Sequence, residues 1–302
     1  MTVALSWHAR QTADSAEQRL RARVDRLVQD ADGPEERSFL GGLVERLCRP
    51  DPMLGRSPEA AGRIFQVLSR EQVALRDVAR ALERDPELVL EVWRQAWPRA
   101  GNASASIEQA ISRLGLDALW RVAVLEASTA RVYVAPGFEA RSNRERALGL
   151  MTANLAAASL PGSRATAYLA GLLHGIGAMW VYRCALPDNP SRVPDRALVE
   201  RTAAELAPES GALYLQGRGL QASVVQAVAF SADPTLAPAG ARPIARAVFA
   251  GRAVSLHVAG LALETRVELY QRLDRVQMSP AEANRLLYLA RQAHGHVGDL
   301  VP

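Results

Sequence analysis

Ala167-Tyr-Leu-Ala-Gly-Leu-Leu-His174-Gly-Ile-Gly177 is the stretch on which the reading of this chain turns. It opens the most apolar part of the sequence, Ala167 to Val181, which holds His174 and three glycines and is too short to span a bilayer. Leu172, Leu173 and Ile176 surround the histidine in sequence and favour its burial. A lone histidine on an apolar helix face is ordinarily a hydrogen-bonded core residue. A metal or nucleotide contact is the other role open to it.

Outward from this stretch the pattern is helical nearly throughout. Asp85-Pro86-Glu87 places an N-cap before a proline at the first helical position. Ser106-Ile-Glu-Gln109 and Ser279-Pro-Ala-Glu282 both fit a capping box, in which two side chains satisfy orphan amides reciprocally. Apolar residues then recur at helical spacing, as in Leu88, Val92 and Trp93, and in Val267, Leu269, Tyr270 and Leu273. An Arg/Glu-rich helix over about Ser15 to Gln29 carries a narrow stripe of Leu20, Val24 and Leu27, expected to pack locally. Val132-Tyr133-Val134 is the one short β-like run. Breaks are expected at Asp30–Gly33, Arg49–Pro58, Pro136–Asn143, Leu186–Pro194 and Ala232–Pro243, and Gly217-Arg-Gly219 reads as a helix–helix turn. Trp93, Trp97, Trp120 and Trp180, set among Leu and Val, are expected in the core.

Composition narrows the classes. The 302 residues are 49% hydrophobic, enough for a sizeable core. All 36 basic residues are Arg, interspersed with Asp and Glu, and the net charge is only +4. A mixed solvated surface is therefore expected rather than a nucleic-acid face. Cys48 and Cys184 have no CxxC spacing and read as reduced thiols. Met1 to Arg10 contains no apolar run, so no signal peptide is read and the expected location is cytoplasmic, with no membrane association. Phosphate-cradling glycine loops, GxSxG and HExxH are absent.

Three blocks, in order, carry a resemblance to a known family. Gly171-Leu-Leu-His174-Gly-Ile-Gly177 is similar to the HD superfamily signature, usually GLLHDIG. Leu75 to Leu90 resembles a helix entering a DP-x-L turn, and Ser106 to Leu119 resembles an I-x-x-A-I-x-x-L-G-x-x-x-L run. Together they look like the HDOD family, over about Ser57 to Val297, with Met278-Ser-Pro resembling the start of its C-terminal helix. The resemblance implies an all-α, HDOD-like bundle of two packed helical lobes. The expected organisation is an N-terminal extension over 1–33 and an HDOD-like unit over 34–302, with lobes at about 35–130 and 140–302.

Departures from the family pattern set the functional expectation. The resemblance implies metal-binding groups at His174, Gly175, Ala207, Ser231 and Ala232, and only His174 retains a ligand side chain. The upstream helix, read as Arg144 to Leu160, supplies no histidine, and His294 and His296 read as a solvated tail. The chain is therefore expected to be no enzyme, to hold no cofactor or metal, and to act as a regulatory module on a protein partner in a signalling pathway. Two other readings stay open. One is a nucleotide or cyclic-dinucleotide sensor in the vestigial cleft, with Arg141, Arg144 and Arg146 as phosphate contacts. The other is an atypical metal-dependent phosphohydrolase, which needs Glu205, Glu209 or Asp233 to converge on His174.

Overall fold

The structure, a computed structural model, describes residues 7–49, 58–97, 105–129, 135–186 and 195–297. Among these residues there are helices and turns and no strand. The first helices are α1 (Trp7–Gln29), α2 (Pro34–Leu47), α3 (Pro58–Leu68), α4 (Leu75–Leu82), α5 (Pro86–Ala96), α6 (Ile107–Leu114) and α7 (Leu116–Thr129). They are followed by α8 (Glu139–Ser159), α9 (Arg164–Leu173), α10 (Ile176–Ala185), α11 (Arg196–Gly217) and α12 (Ala222–Ala229). The last three are α13 (Arg242–Val258), α14 (Arg266–Asp274) and α15 (Pro280–Val297).

The helix starts follow the local chemistry. Asp85 Oδ1 accepts from the amides of Glu87 and Leu88 at the head of α5. Ser106 and Gln109 close a full capping box on α6. Ser279 and Glu282 do the same at the head of α15. Gly219, at φ 73°, occupies the turn between α11 and α12 in a left-handed conformation that a side chain disfavours. One expected boundary moves. The helix read from Arg144 starts at Glu139, because the turn at Pro136-Gly137 ends sooner than the run of turn-forming residues implied. The β-like run Val132–Val134 and most of the breaks at 49–58 and 186–194 lie outside the described residues.

Helices α3 to α7 pack on one another, and α8, α9 and α13 form the centre of the remainder, with α10 laid along α11. The amphipathic N-terminal helix packs locally, as its stripe predicts. Leu20 and Val24 are fully buried where α1 lies on α2 and α11. Close crossings rely on missing side chains. A Cβ on Gly171 would stand 2.7 Å from the Ala153 Cα, and one on Gly177 would stand 1.9 Å from the Ala207 carbonyl oxygen. Only glycine lets α9 meet α8, and α10 meet α11, at such a distance.

Buried polar links tie the first helices to the rest. The Tyr214 hydroxyl of α11 donates to Glu87 of α5, and Arg218 Nη2 donates to the same carboxylate at 2.9 Å. Arg46 of α2 donates to the Cys184 carbonyl oxygen at 2.6 Å. Burial pushes the Cys184 thiol up to about 12, so it is an inert core residue. Among the described residues no helix is long and apolar enough to cross a membrane.

Two apolar stripes are not covered as expected. Trp93 and Trp180 are buried and Trp97 is half-buried, but Trp120 is 41% exposed. On α14, Leu269 and Leu273 are buried while Val267 is exposed. Helical spacing shows which residues share a face; it does not show whether another element covers that face.

Candidate functional site

His174 caps the C-terminus of α9 and is 1% exposed. Its Nδ1 lies 2.6 Å from the Gly171 carbonyl oxygen. A carbonyl only accepts, so Nδ1 carries the proton and Nε2 is left as a bare acceptor. Nε2 is buried and has no hydrogen-bond partner among the described residues. Burial, assisted by the charge of Arg252, drives the imidazole down to about 3. The ring is therefore neutral at physiological pH.

The other family positions form no ligand set around this ring. Gly175 sits in ordinary right-handed backbone, and its missing side chain leaves room for another group. A Cβ there would lie 2.8 Å from Glu145 Oε2 and 3.2 Å from the Glu145 Cβ. Glu145, delivered by α8, thus fills the space beside the position where the family pattern has an aspartate. Its charge acts on Tyr182, whose hydroxyl is pushed up to about 12 by burial first and by Glu145 and Glu200 next. Ala207 is buried, with its carbonyl against Gly177. Ser231 Oγ donates to the Val228 carbonyl oxygen at 2.8 Å, and Ala232 has no donor atom on its side chain.

The acids that a surviving hydrolase requires are engaged elsewhere. Arg23 of α1 lies 3.5 Å from Glu205 and 3.4 Å from Glu209. Asp233 accepts from the Thr235 amide and hydroxyl. Among the described residues no group of three or more His, Cys, Asp or Glu is placed to hold a metal ion. A catalytic metal needs about three protein ligands and an open position, so these residues do not fit one.

The arginines of α8 are partly committed as well. Arg141 makes a two-pronged contact with Glu200, at 2.9 and 2.6 Å, which raises its pKa further. Arg146 donates to Asn143 Oδ1 at 3.0 Å. Arg252, Arg272 and Arg275 line a cavity together with Ser231 and Ala232. These three arginines went unnoticed in the sequence. The signal was present in the spacing of Phe249, Arg252, Ala253 and Leu256, which puts a charged residue on an otherwise apolar face of α13.

A helical scaffold with an HD-type motif and no clustered metal ligands among the described residues defines the class. The HDOD domain profile matches residues 54–229, more than half of the chain, and the protein belongs to the HDOD domain family. Solved structures share the fold. The MmoQ response regulator of Methylococcus capsulatus str. Bath superposes with a TM-score of 0.59 at 20% identity, over 78% of this chain and 98% of that one. A virulence factor of Campylobacter jejuni subsp. jejuni gives 0.54 at 14% identity, over 82% and 98%. No curated protein matches the sequence.

Proposed function

We propose that this chain is a non-catalytic regulatory module that acts by docking a protein partner on α7. One observation carries the reading. Leu116, Trp120 and Val124 fall on a single stripe of α7 and are 36%, 41% and 44% exposed. Trp120 stands edge-on to Phe65, with ring centroids 4.9 Å apart, so the indole is held in place rather than free. A fixed, exposed aromatic flanked by aliphatic residues is the composition of a binding hot spot. Two further points support a signalling role without catalysis. The similar chain from Methylococcus is described as a response regulator. The residues at 175, 207, 231 and 232 supply no second metal ligand beside His174.

In this reading residues 1–33 form an extension and 34–302 the regulatory unit. Photo-crosslinking from position 120 in the native cytoplasm is expected to trap a signalling protein. The exchange Val124→Arg is expected to abolish the crosslink while leaving the melting temperature within about 2 °C, as for an exposed site. An unchanged crosslink in the Val124→Arg chain, or none in the parent, rejects α7 as the docking face.

A further inference from the structure

Helix α13 presents Phe249, Arg252 and Leu256 to a cavity of about 610 Å³. Arg272 of α14 and the residues just after it, Arg275 and Val276, form the opposing side. Every residue of this cavity lies between 231 and 276, beyond the family match over 54–229. It shares Ser231 and Ala232 with the positions that the family resemblance implies and otherwise lies past the matched segment.

The charges in the cavity do not balance. Arg272 is paired with Glu264 at 2.9 Å. The one lining carboxylate, Asp233, accepts from the Thr235 amide and hydroxyl and offsets only one of the remaining positive charges. Arg252 and Arg275 have no carboxylate partner among the described residues. Guanidinium groups facing one concavity repel, and an anion between them relieves that repulsion while accepting forked hydrogen bonds. The frame is also held in position. Arg246 donates from Nη2 to the Gln277 carbonyl oxygen at 3.0 Å, and Gln277 itself sits at φ 59°. That contact fastens the turn that carries Arg275 and Val276 against α13.

We infer that this cavity binds a phosphate-bearing small molecule, with the phosphate between Arg252 and Arg275 and an apolar body on Phe249, Leu256 and Val276. Even with Asp233 counted against them, the guanidinium groups of Arg252 and Arg275 leave the lining net positive, which favours an anion. The volume falls in the range of about 300–1,000 Å³ typical of small-molecule sites, more than a bare phosphate fills. The side chain of Arg252 connects the cavity to the rest of the module, because its charge also acts on His174.

The test uses the full chain, inorganic phosphate and phenyl phosphate, titrated at ionic strength held constant with sodium chloride. Calorimetry is expected to show saturable phosphate binding, with phenyl phosphate about tenfold tighter. Arg252→Gln and Arg275→Gln should each weaken both probes at least tenfold, whereas Arg285→Gln, on the exposed side of α15, should leave them unchanged. Circular dichroism checks folding. If Arg252→Gln loses its helix signal, Arg275→Gln at the rim carries the test alone. Absence of saturable binding, affinities unaffected by the folded variants, or phosphate and phenyl phosphate binding equally would each overturn the assignment. Malonate binding as tightly as phosphate would overturn its phosphate character.

Discussion

His174 illustrates how burial sets the chemistry of one residue. Its imidazole titrates far below the ordinary value of 6.5 because the charged form is excluded from the core. The folded state therefore binds fewer protons than the unfolded chain in the interval between. Stability from this group is complete above pH 6.5 and is lost as pH falls towards about 3, by up to about 1.4 kcal/mol per pH unit. Denaturant melts of the parent and of His174→Leu should give a difference profile that slopes between pH 6 and 4 and is flat above 7. A flat difference throughout would show that the ring is solvated. Gly175 gives a second test. Gly175→Asp sets a carboxylate against Glu145, and the structure, unlike the apolar neighbours Leu173 and Ile176, names the group it meets. The exchange should cost about 2–4 kcal/mol and be partly restored by Glu145→Gln. It should gain no phosphodiesterase activity, and Mn²⁺ should leave its melting temperature unmoved. Stabilisation by Mn²⁺ of several degrees would mean that further ligands converge there.

At the scale of helices, contact distance and coverage decide the outcome of a substitution. Gly177→Ala forces α10 away from the Ala207 carbonyl and should cost about 3 kcal/mol or more. Gly162→Ala, in an exposed turn with open space around it, should change stability by about 0.5 kcal/mol or less. Comparable losses at the two positions would refute the close crossing. The tryptophans divide in the same way. Trp93, 6% exposed on the buried helix α5, should lose about 3–5 kcal/mol on exchange to Ala. Trp120→Ala should lose less, about 1–2 kcal/mol, since the indole is 41% exposed and its packing rests on the edge-on contact with Phe65. Urea unfolding of the two variants compares them directly.

For the whole molecule, the joint between α5 and α11 is the informative point. Glu87 and Tyr214 are buried, and Arg218 is half-buried beside them. Burial works against the Arg218 guanidinium, but Glu87 and Tyr214 outweigh it and raise its pKa. Removing one member leaves the others desolvated and uncompensated. Glu87→Ala should therefore destabilise by about 3–5 kcal/mol. Adding Arg218→Leu to it should cost less than the sum of the two single exchanges, because the orphaned charge goes with it. A strictly additive double-mutant cycle would show that the three side chains do not act together. Helix α1 is also tied to α11, where Arg23 meets Glu205 and Glu209.

By itself the sequence determined what is local. The caps at Asp85, Ser106 and Ser279 and the stripe of α1 could be read directly, because capping and periodicity act within a few residues. The motif around His174 and the absence of ligand side chains at Gly175, Ala207 and Ala232 were equally legible, since a missing donor needs no coordinates. Only the tertiary structure decided which faces are covered and which charges meet. Trp120 and Val267 have the spacing of core residues, yet both stay exposed, Trp120 with an edge-on contact to Phe65. Glu145 fills the gap beside Gly175 from a helix thirty residues earlier. Arg252 and Arg275 share a cavity only because α14 folds back along α13. The physical reason is that solvent exposure and electrostatic pairing depend on what surrounds a side chain in space. Residues far apart in the chain supply those surroundings.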